Sequence, residues 1–317
     1  MNELTASAVD WLLRSDEPGV RLQARHDLLD EPPAAQDRAL DGPRLSALLC
    51  GQQPDGGFGV PPYTKWSGAH WRLVSLVELG VPAGEPRAVA AADTVLDWLA
   101  SPRRRVFVVD GLARRCASME GNGLAVSVRL GLADDPRVEQ LARSLVAWQW
   151  PDGGWNCDAQ ATGRRSSFHE SLIPMWGLHE YAVATGASWA GEAAGRTAEL
   201  ILDHRVFRTS DGTRVIKPAW LSPRYPPYWH VDVLQALLVL SRMGKAADPR
   251  AAEAVDVVRG RRGPDRRWRP AGYWWTPPGG GKGLAEVVDW GRREPCEMLT
   301  LNALRVLRAA GDPALSR

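Results

Sequence analysis

The chain has 317 residues, 44% hydrophobic and 24% charged, so it carries enough apolar side chain for a sizeable core. Its 39 basic and 37 acidic residues leave a net charge of +2, which argues against nucleic acid as main partner, because phosphate binding demands a concentrated basic face. No stretch approaches the ~18 apolar residues of a membrane span, Met1 to Asp10 lacks a basic signal-like start, and four scattered cysteines (Cys50, Cys116, Cys157, Cys296) fit a reduced, cytoplasmic protein.

In chain order, the first predicted elements are helices at 5–14 and 19–29, a leading pair within residues 1–41. A turn then recurs. Gln52-Gln53-Pro54-Asp55-Gly56-Gly57-Phe58 returns as Trp148-Gln149-Trp150-Pro151-Asp152-Gly153-Gly154-Trp155 and, in worn form, as Arg262-Gly263-Pro264-Asp265-Arg266-Arg267-Trp268. Weaker copies centre on Asp110-Gly111 and Asp211-Gly212. An interval of roughly 50 residues fits two helices plus a structured connection. The basic runs Arg103-Arg104-Arg105 and Arg261, Arg262, Arg266, Arg267 flank turns and read as solvated helix ends.

Each turn is flanked by helical patterns. Val138, Leu141, Ala142, Leu145 and Val146 mark one face of a helix whose other face carries Arg137, Glu139 and Arg143. By contrast, the stretches Val231–Leu240 and Met298–Leu307 are apolar almost all round and need cover on every side. Asp135-Pro136 and Asp248-Pro249 are helix starts, with Asp as N-cap and Pro at the first helical position. The pattern predicts hairpins at 42–80, 85–132, 136–184, 190–243 and 248–310, with no strand-like alternation of useful length. With the leading pair, about six hairpins make up one all-α domain over 1–317. Their near-complete sixfold count predicts closure into a single α/α toroid, an inner helix ring inside an outer one.

The segment Trp148–Asp158 resembles the glutamine–tryptophan repeat of squalene–hopene cyclases and the related repeat of protein prenyltransferase β subunits. In weaker form the resemblance runs from about residue 42 to 310. It implies the toroid fold and a hydrophobic, isoprenoid substrate in a central cavity. It also implies that Gln149 and the aromatic residues Phe58, Trp150, Trp155 and Trp268 tie hairpins together rather than line that cavity. Two features of those enzymes are missing. There is no Asp-x-Asp-Asp acid motif, since Asp134-Asp135 lies before an outer helix and reads as a cap. Nor is there the Asp-x-Cys pair that joins a distant His around zinc.

In a toroid the N-terminal ends of the inner helices open on one mouth and favour anions. The residues expected there are His70, Glu120 and Asn122, His169 and Glu170, His230 and Asp232, and Cys296 and Glu297. Zinc takes three or four Cys, His or carboxylate ligands, and the expected set is Cys116, Cys157, His169 and His230, with Asp232 behind them. For acid–base or cation chemistry the expected catalytic groups are His230, Asp232, Glu170 and Glu297. Trp229, Tyr273, Trp274 and Trp275 would steady a carbocation and, with His70 and Trp71, contact the substrate. The long connection 269–294 is expected to act as a lid hinged at Gly279–Gly281, with Lys217, Arg224 and Lys282 within reach of a diphosphate. Three functions compete: a terpene cyclase or prenyltransferase-like enzyme, a zinc-dependent enzyme on another small molecule or peptide, and a non-catalytic protein that binds a hydrophobic ligand. Peripheral contact with a membrane is compatible with each.

Overall fold

The computed structural model describes residues 3–32, 38–102, 104–280 and 284–315. Among them the chain is mainly α-helical, with twelve α-helices. Helices α1 (Glu3–Leu12) and α2 (Pro18–Leu29) come first, followed by α3 (Pro43–Leu49) and α4 (Ala69–Glu78). Next are α5 (Pro86–Leu99) and α6 (Ala117–Arg129), then α7 (Pro136–Trp148) and α8 (Phe168–Thr185). The last pairs are α9 (Ser188–Asp203) with α10 (Val233–Arg242), and α11 (Ala252–Gly260) with α12 (Glu297–Ala309). None of the helices among the described residues is long and apolar enough to cross a membrane.

Local chemistry sets the helix starts. Asp135 accepts a hydrogen bond from the Arg137 N–H at 2.8 Å, and Asp248 accepts one from the Arg250 N–H at 2.8 Å. In both, Pro occupies the first helical position, of α7 in one and of the 3₁₀ turn Pro249–Ala251 that leads into α11 in the other, where its missing N–H costs no helical bond. Apolar spacing then divides the helices into two kinds. α7 buries only the stripe Val138, Leu141, Ala142 and Leu145. In α4 every residue from Ala69 to Val77 is buried, and α6, α8, α10 and α12 are covered nearly as fully. The covered helices touch in series: α4 packs on α6, α6 on α8, α8 on α10, and α10 on α12. α12 also packs on α2, and the Gln23 amide of α2 donates to the Glu78 carbonyl of α4 at 3.1 Å. Contact between α6 and α8 is backbone-close, since a Cβ at Gly121 would lie 2.5 Å from the Pro174 nitrogen and one at Gly177 would lie 2.6 Å from the Gly121 carbonyl oxygen. Only glycine fits there.

The three strong turns share one geometry. Gln53 N–H donates to Gly57, Trp150 N–H to Gly154, and Gly263 N–H to Arg267, at 2.8, 2.8 and 2.9 Å. Each places one residue at positive φ: Gly56 at 84°, Gly153 at 95° and Arg266 at 65°. The last lacks the glycine that the first two use to reach this region without strain. The aromatic that ends each turn serves the preceding helix. Trp155 Nε1 donates to the Leu145 carbonyl at 2.9 Å, and Trp268 Nε1 to the Val258 carbonyl at 2.8 Å. Both carbonyls belong to last helical turns, where the regular helical partner is missing; the Val258 carbonyl accepts in addition from the Arg261 N–H at 3.2 Å. Phe58 has no such donor. In its repeat the Arg72 guanidinium stacks 4.0 Å from the Phe58 ring and itself donates to the Leu48 carbonyl at 3.0 Å. Gln52 and Gln149 each reach a helix of the next hairpin, bonding the Arg87 carbonyl at 2.7 Å and the Ala193 carbonyl at 2.9 Å. These residues are structural ties.

Two details correct the sequence reading. The Asp110-Gly111 turn is the tip of a small antiparallel hairpin, β1 (Phe107–Val109) with β2 (Leu112–Arg114). Both tip residues have positive φ, 50° and 76°, as a type I′ turn requires. Asp211-Gly212 likewise caps a bridge between Arg208 and Val215. Neither site carries the glutamine-and-aromatic tie, so these two are hairpin tips rather than weak copies of the repeat.

Candidate metal centre

Three ligand-type side chains converge beside the second and third hairpins. Cys116 is the N-cap residue of α6, Cys157 lies two residues past the Trp155 tie, and Glu170 sits in the first turn of α8. Backbone bonds bring their segments together. Arg114 and Asn156 form a parallel bridge, the Arg115 N–H donates to the Asn156 carbonyl at 3.1 Å, and the Ser167 N–H donates to the Trp155 carbonyl at 2.8 Å. As a result one ligand atom from each of Cys116, Cys157 and Glu170 lies within 4.8 Å of the others, the one such group among the described residues.

The carboxylate is fixed at both oxygens: Oε2 accepts from the Ser118 N–H at 3.0 Å, and the Cys157 thiol contacts Oε1 at 3.6 Å. Burial raises the Glu170 carboxyl above its ordinary value. The thiols are interdependent. Cys157 shares its proton with Cys116, which raises Cys157 well above the usual thiol range and lowers Cys116. Nearby, Arg104 and Arg115 both bond buried Glu120, each at 2.9 Å. The Tyr63 hydroxyl, raised by burial and by the charge of Glu170, stays protonated across the physiological range. The donor set suits zinc. With Zn–S near 2.3 Å and Zn–O near 2.0 Å, a tetrahedral S–O edge is about 3.5 Å, and the Cys157–Glu170 contact matches it. Three protein ligands with one position left over is the pattern of catalytic rather than structural zinc.

The expected quartet of Cys116, Cys157, His169 and His230 does not assemble. His169 follows the helix one residue before Glu170, and a 3.6-residue turn swings it about 100° away. Its Nδ1 accepts from the Val231 N–H at 3.2 Å while its edge meets Trp220 and Trp229. His230 lies 6.3 Å from it, ring to ring, stacked between Trp229 at 4.1 Å and Trp274 at 3.7 Å. Its Nδ1 donates to the Pro227 carbonyl at 3.1 Å. Burial lowers both imidazoles to about 4. So the two histidines meet each other, in an aromatic stack, and not the cysteines.

The remaining expected residues scatter. Asp232 does not orient His230; it caps α10, accepting from the Gln235 N–H at 2.9 Å and the Arg224 N–H at 3.1 Å. Burial raises it to about 6. Glu297 pairs with Arg44 at 2.5 Å, apart from Glu170. His70 and Trp71 are core residues, 2% and 1% exposed, and burial holds His70 at about 3. In the connection 269–294, Trp275 is buried and donates to the Tyr225 carbonyl at 2.9 Å, the Tyr273 hydroxyl accepts from the Arg293 N–H at 2.8 Å, and the Trp274 carbonyl accepts from Trp66 Nε1 at 2.9 Å. Such anchoring is that of packed structure rather than of a loose lid. Gly281 and Lys282 lie outside the described residues. Lys217 and Arg224 face the rings of Trp220 and Trp274.

An interior chamber lies between α4, α8, α10 and α12, walled by Trp176, Tyr225, Tyr228 and Leu238, with Asp232 and Ser75 at its surface. Its free volume is about 40 Å³, room for a few waters. Ser75 and Trp176 were not among the expected site residues. The signal for Ser75 is a polar residue inside the apolar run Leu73-Val74-Ser75-Leu76-Val77.

No known protein family matches the sequence, and no curated protein does. Among solved structures, a protein from Actinoplanes is similar at 20% identity, over 97% of this chain and 98% of that one, with a TM-score of 0.44.

Proposed function

We propose that the chain is a single α/α toroid enzyme that binds zinc through Cys116, Cys157 and Glu170 and acts on a small molecule at that mouth. The approach of these three ligand atoms to within 4.8 Å carries the reading. Closure into a toroid is supported by the packing of α12 on α2 and by Arg305, which pairs across that seam with Asp27 and donates to Gln23 at 2.7 Å. Cys157 is exposed, so a substrate reaches the centre from solvent. Zinc held there supplies Lewis-acid polarisation of a substrate oxygen or sulfur. The chain's own groups do the rest: Tyr63 offers a proton that it keeps at neutral pH, and the Arg104–Glu120–Arg115 cluster fixes the start of α6. Metal analysis of the purified full-length protein tests the reading. One zinc per chain is expected, and a protein that stays metal-free after incubation with zinc would exclude it.

A second reading is favoured by one observation. Asp232, raised to about 6, sits at the wall of an aromatic chamber, where a buried acid suits protonation of a hydrophobic, isoprenoid substrate. The chamber's 40 Å³ is far below the ~300 Å³ of small-molecule sites, so this reading requires the chamber to open. Incubation with linear isoprenoids and mass spectrometry of the products tests it; absence of any cyclised product removes it.

A further inference from the structure

We propose that Cys116 and Cys157 are a reversible oxidation site, closing to a disulfide under hydrogen peroxide. If the zinc reading above holds, on which this consequence rests, closure withdraws both sulfur ligands and shuts the centre down. The placement of the two residues carries the inference. Cys116 follows Arg115 and Cys157 follows Asn156, and the Arg115–Asn156 main-chain bond of 3.1 Å beside the Arg114–Asn156 bridge ties the two segments together. The thiols themselves already lie within 4.8 Å of each other, so only part of that distance remains to be closed to reach the S–S length of about 2.05 Å. Further ties hold the Cys157 segment in place without any metal: Asn156 Nδ2 donates to the Arg165 carbonyl at 2.8 Å, and the Asp158 N–H donates to Asn156 Oδ1 at 2.9 Å. Cys157 is exposed and Cys116 partly so, whereas Cys296 is buried. Peroxide therefore reaches one member of the pair directly, with the second in place to resolve the product.

The chemistry balances. One sulfur of the pair, having lost its proton, attacks peroxide; an S–O bond forms, the O–O bond breaks, and hydroxide leaves to take up that proton as water. The other sulfur then attacks the resulting sulfenic sulfur, the S–S bond forms, and the oxygen leaves as a second water with that sulfur's proton. Two thiols and one hydrogen peroxide become one disulfide and two waters. Both sulfurs are oxidised and the peroxide is reduced. A thiol reductant of the dithiothreitol class reverses the change.

The test uses the reduced, full-length, metal-free protein exposed to hydrogen peroxide, followed by peptide mapping without reductant. A Cys116–Cys157 cross-linked peptide that disappears with dithiothreitol, and that is absent from Cys157→Ser, is the expected result. Sulfinic or sulfonic acid on Cys157 with no cross-link, or a cross-link to Cys50 instead, overturns the proposal. A second arm adds zinc to the reduced and to the oxidised protein and measures bound metal after desalting. Binding by the reduced form and its loss in the oxidised form supports the switch; equal binding by both forms overturns it. Because the first arm contains no metal, a cross-link there together with zinc binding by neither form would sink the zinc reading while the oxidation site stands.

Discussion

Arg242, at the end of α10, donates to the Glu78 carboxylate, at the end of α4, at 3.0 Å across 164 residues of sequence. The pair joins two fully covered helices from the first and fourth hairpins, and both side chains are largely buried. Burial opposes the charged form of Glu78, yet Arg242, together with Arg305 and Arg129, more than offsets it and holds the carboxyl below its ordinary value. Arg242 also stacks 5.0 Å from the Trp176 ring and caps the floor of the interior chamber. The contact therefore serves as a brace and as part of the chamber wall.

Glu78→Gln should destabilise the fold by about 3 kcal/mol, because it leaves a buried guanidinium without its counter-charge. Urea unfolding checks this. The folded pKa of Glu78 lies below its unfolded value, so the contribution is present above about pH 4.5 and fades as pH falls through the folded value. The variant should lose that acid-limb dependence; an unchanged profile would mean the pair adds nothing.

Asp232 predicts the opposite slope. Its folded pKa of about 6 exceeds the unfolded 3.8, so its contribution is fully present below pH 3.8 and disappears as pH rises through about 6. By linkage the loss is about 3 kcal/mol. Asp232→Asn retains the N-cap acceptor and removes the titration. Thermal unfolding from pH 4 to 7 should show a flatter profile in the variant, and parallel profiles would remove the argument.

The proposed metal centre separates two neighbours. Glu170→Gln and Cys157→Ser should each weaken zinc binding by ~10–100-fold or more, measured by competition with a chelating dye. His169→Ala should leave zinc affinity within a factor of about two, since its ring faces Trp220 and Trp229. A large loss in His169→Ala would restore the histidine to the ligand set.

The turns make a separate stability claim. Trp155 is 0% exposed, and Trp155→Ala should cost about 3–5 kcal/mol. Trp155→Phe keeps most of the packing but leaves the Leu145 carbonyl unpaired, at about 1–3 kcal/mol. Denaturant unfolding of both variants should rank them in that order, and equal losses would assign the whole effect to packing.

The amino-acid order by itself determined the helical hairpins, the Asp-Pro starts and the role of Gln149, Trp155 and Trp268 as ties. Those features rest on spacing within a few residues, where helix period and free terminal carbonyls act directly. It also picked out Cys116 and Cys157 by ligand chemistry. Only the tertiary structure decided that Glu170 rather than His169 faces them, because adjacent helical side chains point about 100° apart and the sheet-like clamp at Arg114–Asn156 joins segments far apart in the chain. It also decided that Trp274 stacks on His230, that Tyr273, Trp274 and Trp275 are anchored by hydrogen bonds, and that the chamber is narrow. Those outcomes depend on how long loops pack between helices, and no periodicity in the sequence encodes that packing.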